Sequence, residues 1–113
     1  MASIVVAEDD PFLRTVLTEV LEYEGHAVRQ AIDGAHALAL VLGTPPDLVV
    51  SDVAMPQLGG IDLAAAVARH APWVPVVLMS AACPPHRALP APCVPKPFET
   101  DRLLALVEDR LPV

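Results

Sequence analysis

Apolar residues along the chain fall into two alternating patterns, short unbroken runs and longer stretches with three- and four-residue spacing. Ile4-Val5-Val6-Ala7 is a short run that stops at Glu8-Asp9-Asp10, and such a run reads as a strand buried on both faces. Pro11 suits the first turn of a helix, where its missing N–H costs nothing. Leu13, Val16, Leu17, Val20 and Leu21 then repeat at helical spacing, so residues 11–24 read as a helix ended by Gly25. Ala27–Ala31 is a shorter strand, Asp33-Gly34 a turn, and Ala35–Leu42 a small helix closed by Gly43. Asp47–Asp52 is an apolar strand ending on an acid, and an Ala-rich helix follows over residues 61–70. Val74–Met79 is a third strongly apolar strand. The last helix spans residues 100–111, with Thr100 as its N-cap and Leu103, Leu104, Val107 and Leu111 on one face.

Strands alternating with helices imply right-handed crossovers and a parallel sheet covered on both faces. In such sheets the reactive site lies at the carboxyl ends of the strands, where Glu8–Asp10, Asp52 and Ser80 each follow an apolar run. One stretch breaks the pattern. Residues 84–97 contain six prolines, each costing a helix interior about 3 kcal/mol. The reading there is a loop, with at most one irregular turn, and then a short edge-like strand at Cys93–Val94.

Composition narrows the function. With 113 residues the chain is one domain of ordinary size, and 54% apolar residues against 19% charged make it globular. The net charge of −7 argues against direct binding to nucleic acid or to an anionic membrane. No uncharged apolar run approaches a membrane-spanning length, and the start has no basic n-region, so the expectation is a cytoplasmic protein with no membrane insertion. Two cysteines without a CxxC pair argue against a disulfide scaffold or a zinc finger and fit a reducing compartment. Cys93 then reads as a small strand hydrophobe and Cys83 as a loop thiol. The four histidines share no ligand spacing and read as surface residues, and Trp73 reads as a helix-to-strand packing residue.

Carboxylates at 8, 9, 10 and 52 would repel one another unless a cation sits among them. Oxygen-only ligands suit Mg²⁺ or Mn²⁺. Ser80 adds a hydroxyl, and Lys96, the chain's single lysine, adds an ammonium after the last strand. Those are the parts that hold a phosphoryl group and its charge. Acids and hydroxyls at loop starts also serve as turn and cap residues, and Asp10 is equally well a ligand or a cap.

Val6–Arg14, then Pro46–Pro56 with Gly59-Gly60, then Pro75–Ala81, and finally Lys96-Pro97-Phe98 stand in an order that resembles the response regulator receiver domain of two-component signalling. The resemblance covers nearly the whole chain, so residues 1–113 are expected to form a single receiver domain. It implies a flavodoxin-like α/β/α sandwich on a five-stranded parallel sheet. By that resemblance Asp52 is the phospho-acceptor, taking a phosphoryl group from a histidine kinase or histidine phosphotransfer protein. Glu8, Asp9, Asp52 and the backbone carbonyl of Ala54 would hold the Mg²⁺. Ser80 would be the switch hydroxyl and Lys96 the phosphoryl contact. Phosphorylation would shift the population toward a conformer that changes binding to a downstream protein. The chain would be an enzyme only in catalysing its own phosphorylation and dephosphorylation.

Two departures stand out. The aromatic residue that the family carries three positions before its lysine is Cys93 here. Ser80 and Lys96 are only 16 positions apart, so the fourth helix is expected to be shortened or missing. Two rival readings follow. One is a receiver-like interaction module that works without phosphate. The other is an aspartyl phosphatase, against which stands Ala54 where such enzymes place a second acid. Whether the chain stands alone or is a piece of a longer regulator is open.

Overall fold

The computed structural model describes residues 2–83 and 89–111. Five strands, β1 (Ser3–Ala7), β2 (Ala27–Ala31), β3 (Leu48–Asp52), β4 (Val76–Ser80) and β5 (Cys93–Pro95), alternate with helices α1 (Pro11–Tyr23), α2 (Gly34–Gly43), α3 (Gly60–His70) and α4 (Thr100–Arg110). The strands form one parallel sheet in the order β2-β1-β3-β4-β5. This is the flavodoxin-like fold that the resemblance implied, on the parallel sheet that the alternation of runs predicted.

The two-residue period of a strand explains the layers. Ile4 and Val6 of β1, Val50 of β3 and Val77 and Met79 of β4 feed a core with Leu17 and Leu21 of α1 and Leu103 and Val107 of α4. Their neighbours Val5, Ala7, Val49 and Leu78 feed a second core, on the opposite face, with Ala37 and Val41 of α2 and Leu63 and Val67 of α3. Every β3 residue is buried, as unbroken apolar runs in a parallel sheet require.

Most element ends fall within one or two residues of expectation. β4 starts later, at Val76, because Pro72–Pro75 belong to the connection from α3. Among the described residues there is no helix between β4 and β5, and residues 89–92 form no regular element. The centre of the expected proline-rich loop, residues 84–88, lies outside the described residues, as does His86. No described helix is long and apolar enough to cross a membrane.

Three expectations are corrected. The cap of α4 is Glu99, and Thr100 is the first helical residue. Trp73 does not pack between helix and strand but is 68% exposed. His26 is not a surface residue: it is buried, its Nδ1 accepts the Ala2 N–H at 3.2 Å, and its Nε2 lies 3.6 Å from Glu108. His36 and His70 are exposed as expected.

Candidate functional site

The sheet order places the site. β1 and β3 are neighbours at the point where the chain's winding reverses, so their carboxyl ends open into one crevice. Ala7 pairs with Ser51, which sets Glu8 beside Asp52. Glu8, Asp9 and Asp52 each offer a carboxylate oxygen, and these atoms lie within 4.8 Å of one another. Glu8 is 1% and Asp52 7% exposed, whereas Asp9 is open to solvent.

Lys96 reaches this crevice from the far end of β5. Its backbone N–H donates to the Ser80 carbonyl at 2.8 Å, continuing the β4–β5 ladder one residue past Pro95. Its Nζ stands 2.9 Å from Asp52 Oδ2 and 3.0 Å from Glu8 Oε1. Burial on its own would lower the lysine's affinity for its proton, but the bonds to Asp52 and Glu8 outweigh it and hold the ammonium above the ordinary lysine range. Burial raises the Glu8 carboxyl, against the opposing pull of the Asp10 N–H and of Lys96, and Asp52's charge pushes in the same upward direction.

Local structure gives Asp10 a capping role. Its Oδ1 accepts the N–H groups of Phe12 at 2.9 Å and Leu13 at 3.4 Å, capping α1, while Pro11 fills the first turn. Its own N–H donates to Glu8 Oε2 at 3.1 Å. Asp10 therefore orients Glu8 through its backbone, and its side chain serves the helix. Arg14, which sequence reading did not single out, donates to the Glu8 carbonyl at 2.7 Å and so pins the loop that carries both acids.

Beyond β3 the chain turns sharply at Val53–Gly60. Ala54 is exposed there, and its N–H donates to Asp52 Oδ1 at 3.4 Å. Gly60 opens α3 against the Asp52 carbonyl, so close that a Cβ would collide with it. Ser80 ends β4, but its hydroxyl is turned to its own loop: it donates to the Ala82 carbonyl at 3.3 Å and accepts the Ala82 N–H at 3.2 Å. The structure thus brings Glu8, Asp9, Asp52 and Lys96 together, while the Ser80 hydroxyl is engaged within its own loop.

The cysteines depart from expectation. Cys83 and Cys93 are joined as a disulfide, with their Cα atoms 5.9 Å apart, inside the usual range for a bridge. Their ten-residue separation, without a CxxC pattern, hid this in the sequence. Only the return of the chain along β4 brings the two together.

Three clustered oxygen donors, two of them buried and offset by one ammonium, match what a hard divalent ion needs. The site residues therefore fit Mg²⁺ or Mn²⁺, with Glu8, Asp9 and Asp52 as the side chains that would hold it.

Comparison with known proteins agrees with this architecture. Residues 4–108 match the response regulator receiver domain family. The DNA-binding transcriptional regulator NtrC of Azospirillum brasilense is 34% identical over 116 residues, covering 97% of this chain and 24% of that protein. The transcriptional regulatory protein TcrA of Mycobacterium tuberculosis is 40% identical over 78 residues, covering 69% of this chain and 31% of its own length. The chain thus spans about a quarter to a third of the length of these relatives. Among solved structures, the response regulator TrrA of Thermotoga maritima, in complex with Mg²⁺–BeF, superposes with a TM-score of 0.91 at 30% identity, covering 98% of this chain and all of that one. The chemotaxis protein CheY4 of Vibrio cholerae superposes with a TM-score of 0.89 at 25% identity, covering 98% of this chain and 99% of that one. With four ordered motifs converging on one crevice and a family match over nearly its whole length, the chain belongs to the response regulator receiver domains of two-component signalling.

Proposed function

We propose that residues 1–113 act as one receiver unit in the cytoplasm, accepting a phosphoryl group on Asp52 from the phosphohistidine of a histidine kinase or phosphotransfer protein. The observation that carries this reading is the convergence on Asp52: Lys96 Nζ stands 2.9 Å away, and Glu8 and Asp9 each bring a carboxylate oxygen within 4.8 Å of its own. An Asp52 oxygen attacks phosphorus, the phosphorus–nitrogen bond breaks, and the imidazole leaves with a proton, forming an acyl phosphate. Bound Mg²⁺ supplies charge neutralisation for the phosphoryl oxygens. Glu8, Asp9, Asp52 and the Ala54 carbonyl would hold it. Lys96, released from part of its contact with Asp52, pairs with a phosphoryl oxygen. Ser80 leaves Ala82 and donates its hydroxyl to another, which couples the modification to the β4–β5 edge.

Self-phosphorylation from small phosphodonors and self-dephosphorylation are the only catalysis in this reading. The donor's docking surface lies beside the site, where Phe12, Leu13, Ala81, Pro97 and Phe98 line an apolar groove around Lys96. Phe12 is 76% exposed there. The output is altered binding to a downstream protein rather than to nucleic acid.

Incubation with acetyl phosphate and Mg²⁺ tests the reading. Intact-mass measurement is expected to find one added phosphoryl group in the wild type and none in Asp52→Asn. An unmodified wild-type spectrum at saturating donor and metal would overturn it in favour of a phosphate-independent interaction module.

A further inference from the structure

The disulfide joins the two segments that carry Ser80 and Lys96. β5 is only three residues long and forms the sheet's edge, yet it delivers Lys96. Cys93 opens this strand opposite Leu78, and its bridge to Cys83 ties the start of β5 to the residue three past Ser80. The turn from Ser80 to Cys83 is therefore fastened at both ends. At one end the Lys96 N–H holds the Ser80 carbonyl at 2.8 Å. At the other the bridge holds Cys83, whose Sγ lies 4.0 Å from that same carbonyl. Within this closed turn the Ser80 hydroxyl exchanges hydrogen bonds with Ala82. Neither cysteine is fully buried, so small thiols and disulfides can reach the pair.

We propose that Cys83 and Cys93 are a reversible dithiol–disulfide couple that locks or frees the turn carrying the Ser80 hydroxyl. Formation needs an oxidant of the small-molecule disulfide class. One protein thiolate attacks that disulfide and releases a thiol. The second protein thiolate then attacks the protein sulfur of the mixed disulfide and releases another. The protein loses two hydrogens, and the small disulfide is reduced to two thiols. In the bridged chain the turn is closed and Ser80 remains engaged with Ala82. In the dithiol chain Cys83 is released and the hydroxyl can swing toward Asp52. The consequence for phosphorylation rests on the reading of Asp52 as acceptor. The bridge likewise lowers the site's equilibrium affinity for a phosphoryl mimic, and linkage then requires mimic binding to favour the dithiol by the same factor.

The test equilibrates the full chain in oxidised or reduced glutathione. Free thiols are counted by alkylation and mass, amide hydrogen exchange is followed over residues 81–83, and phosphorylation by acetyl phosphate with Mg²⁺ is timed. In oxidised glutathione the expected result is a monomer lacking two hydrogens, with both thiols protected, slower exchange in the turn, and phosphorylation slowed about tenfold. The double variant Cys83→Ser/Cys93→Ser, which has no thiol to exchange, is expected to match the reduced wild type in both buffers. Thiols that stay open to alkylation in oxidised glutathione overturn the proposal, as does a bridged chain whose exchange and phosphorylation equal those of the dithiol. If neither form accepts phosphate, the acceptor reading fails by itself. The exchange rates then decide the couple: faster in the dithiol supports it, equal rates overturn it.

Discussion

Lys96 serves two carboxylates at once, 2.9 Å from Asp52 and 3.0 Å from Glu8, and it is the only lysine in the chain. Removing it as Lys96→Ala leaves two buried acids without their cation. Loss of those bonds is expected to cost about 1–3 kcal/mol of stability without divalent ions, measured by denaturant unfolding. The same variant is expected to bind Mg²⁺ more tightly by calorimetry, because ammonium and metal compete for the same charge. Glu8 carries a pH dependence of its own. Its burial holds the folded carboxyl above the ordinary glutamate range, so the folded chain keeps its proton where the unfolded chain has lost it. Stability from this group is fully present below the ordinary range and is lost as pH rises through the raised one. The melting temperature without divalent ions is expected to fall across that window in the wild type and to fall less in Glu8→Gln. Equal pH profiles would remove Glu8 as the source.

At the scale of elements, two junctions hold the crevice open to the right shape. Asp10 caps α1 while its backbone orients Glu8. Asp10→Ala is expected to lose about 1 kcal/mol, seen as a drop of about 4–8 °C in melting temperature. It is expected to retain phosphorylation, because the backbone N–H remains. Gly60 lies where α3 starts, with no room for a side chain against the Asp52 carbonyl. Gly60→Ala forces that helix start away from β3 and is expected to cost about 1–3 kcal/mol. Because Asp52 itself must shift, its phosphorylation should slow far more than in Asp10→Ala.

For the whole molecule, charge and fold are coupled. The chain carries −7, and three of its acids meet in one crevice between β1 and β3. An ion bound only by the folded chain stabilises it, by about 2.7 kcal/mol at a hundredfold excess over its dissociation constant. Mg²⁺ is accordingly expected to raise the melting temperature of the wild type, and Asp9→Ala to abolish most of that rise. A wild-type melting temperature indifferent to Mg²⁺ would sink the ligand assignment.

The strands, the helices and the acidic strand ends were legible in the sequence because each depends on local pattern. Unbroken runs such as Ile4–Ala7 and Leu48–Asp52 must be covered on both faces, and the helical spacing of Leu13–Leu21 must bury one. Alternation of the two then leaves a parallel sheet with its polar ends on one edge. What the local pattern does not contain is distance across the sheet. Only the strand order decided that Lys96 spans Asp52 and Glu8. The same order set Cys83 against Cys93 and left His26 buried and Trp73 exposed. Each of these depends on which segments meet after the chain has wound back on itself. Residues far apart in sequence acquire contacts only then, so no window of neighbouring residues carries them.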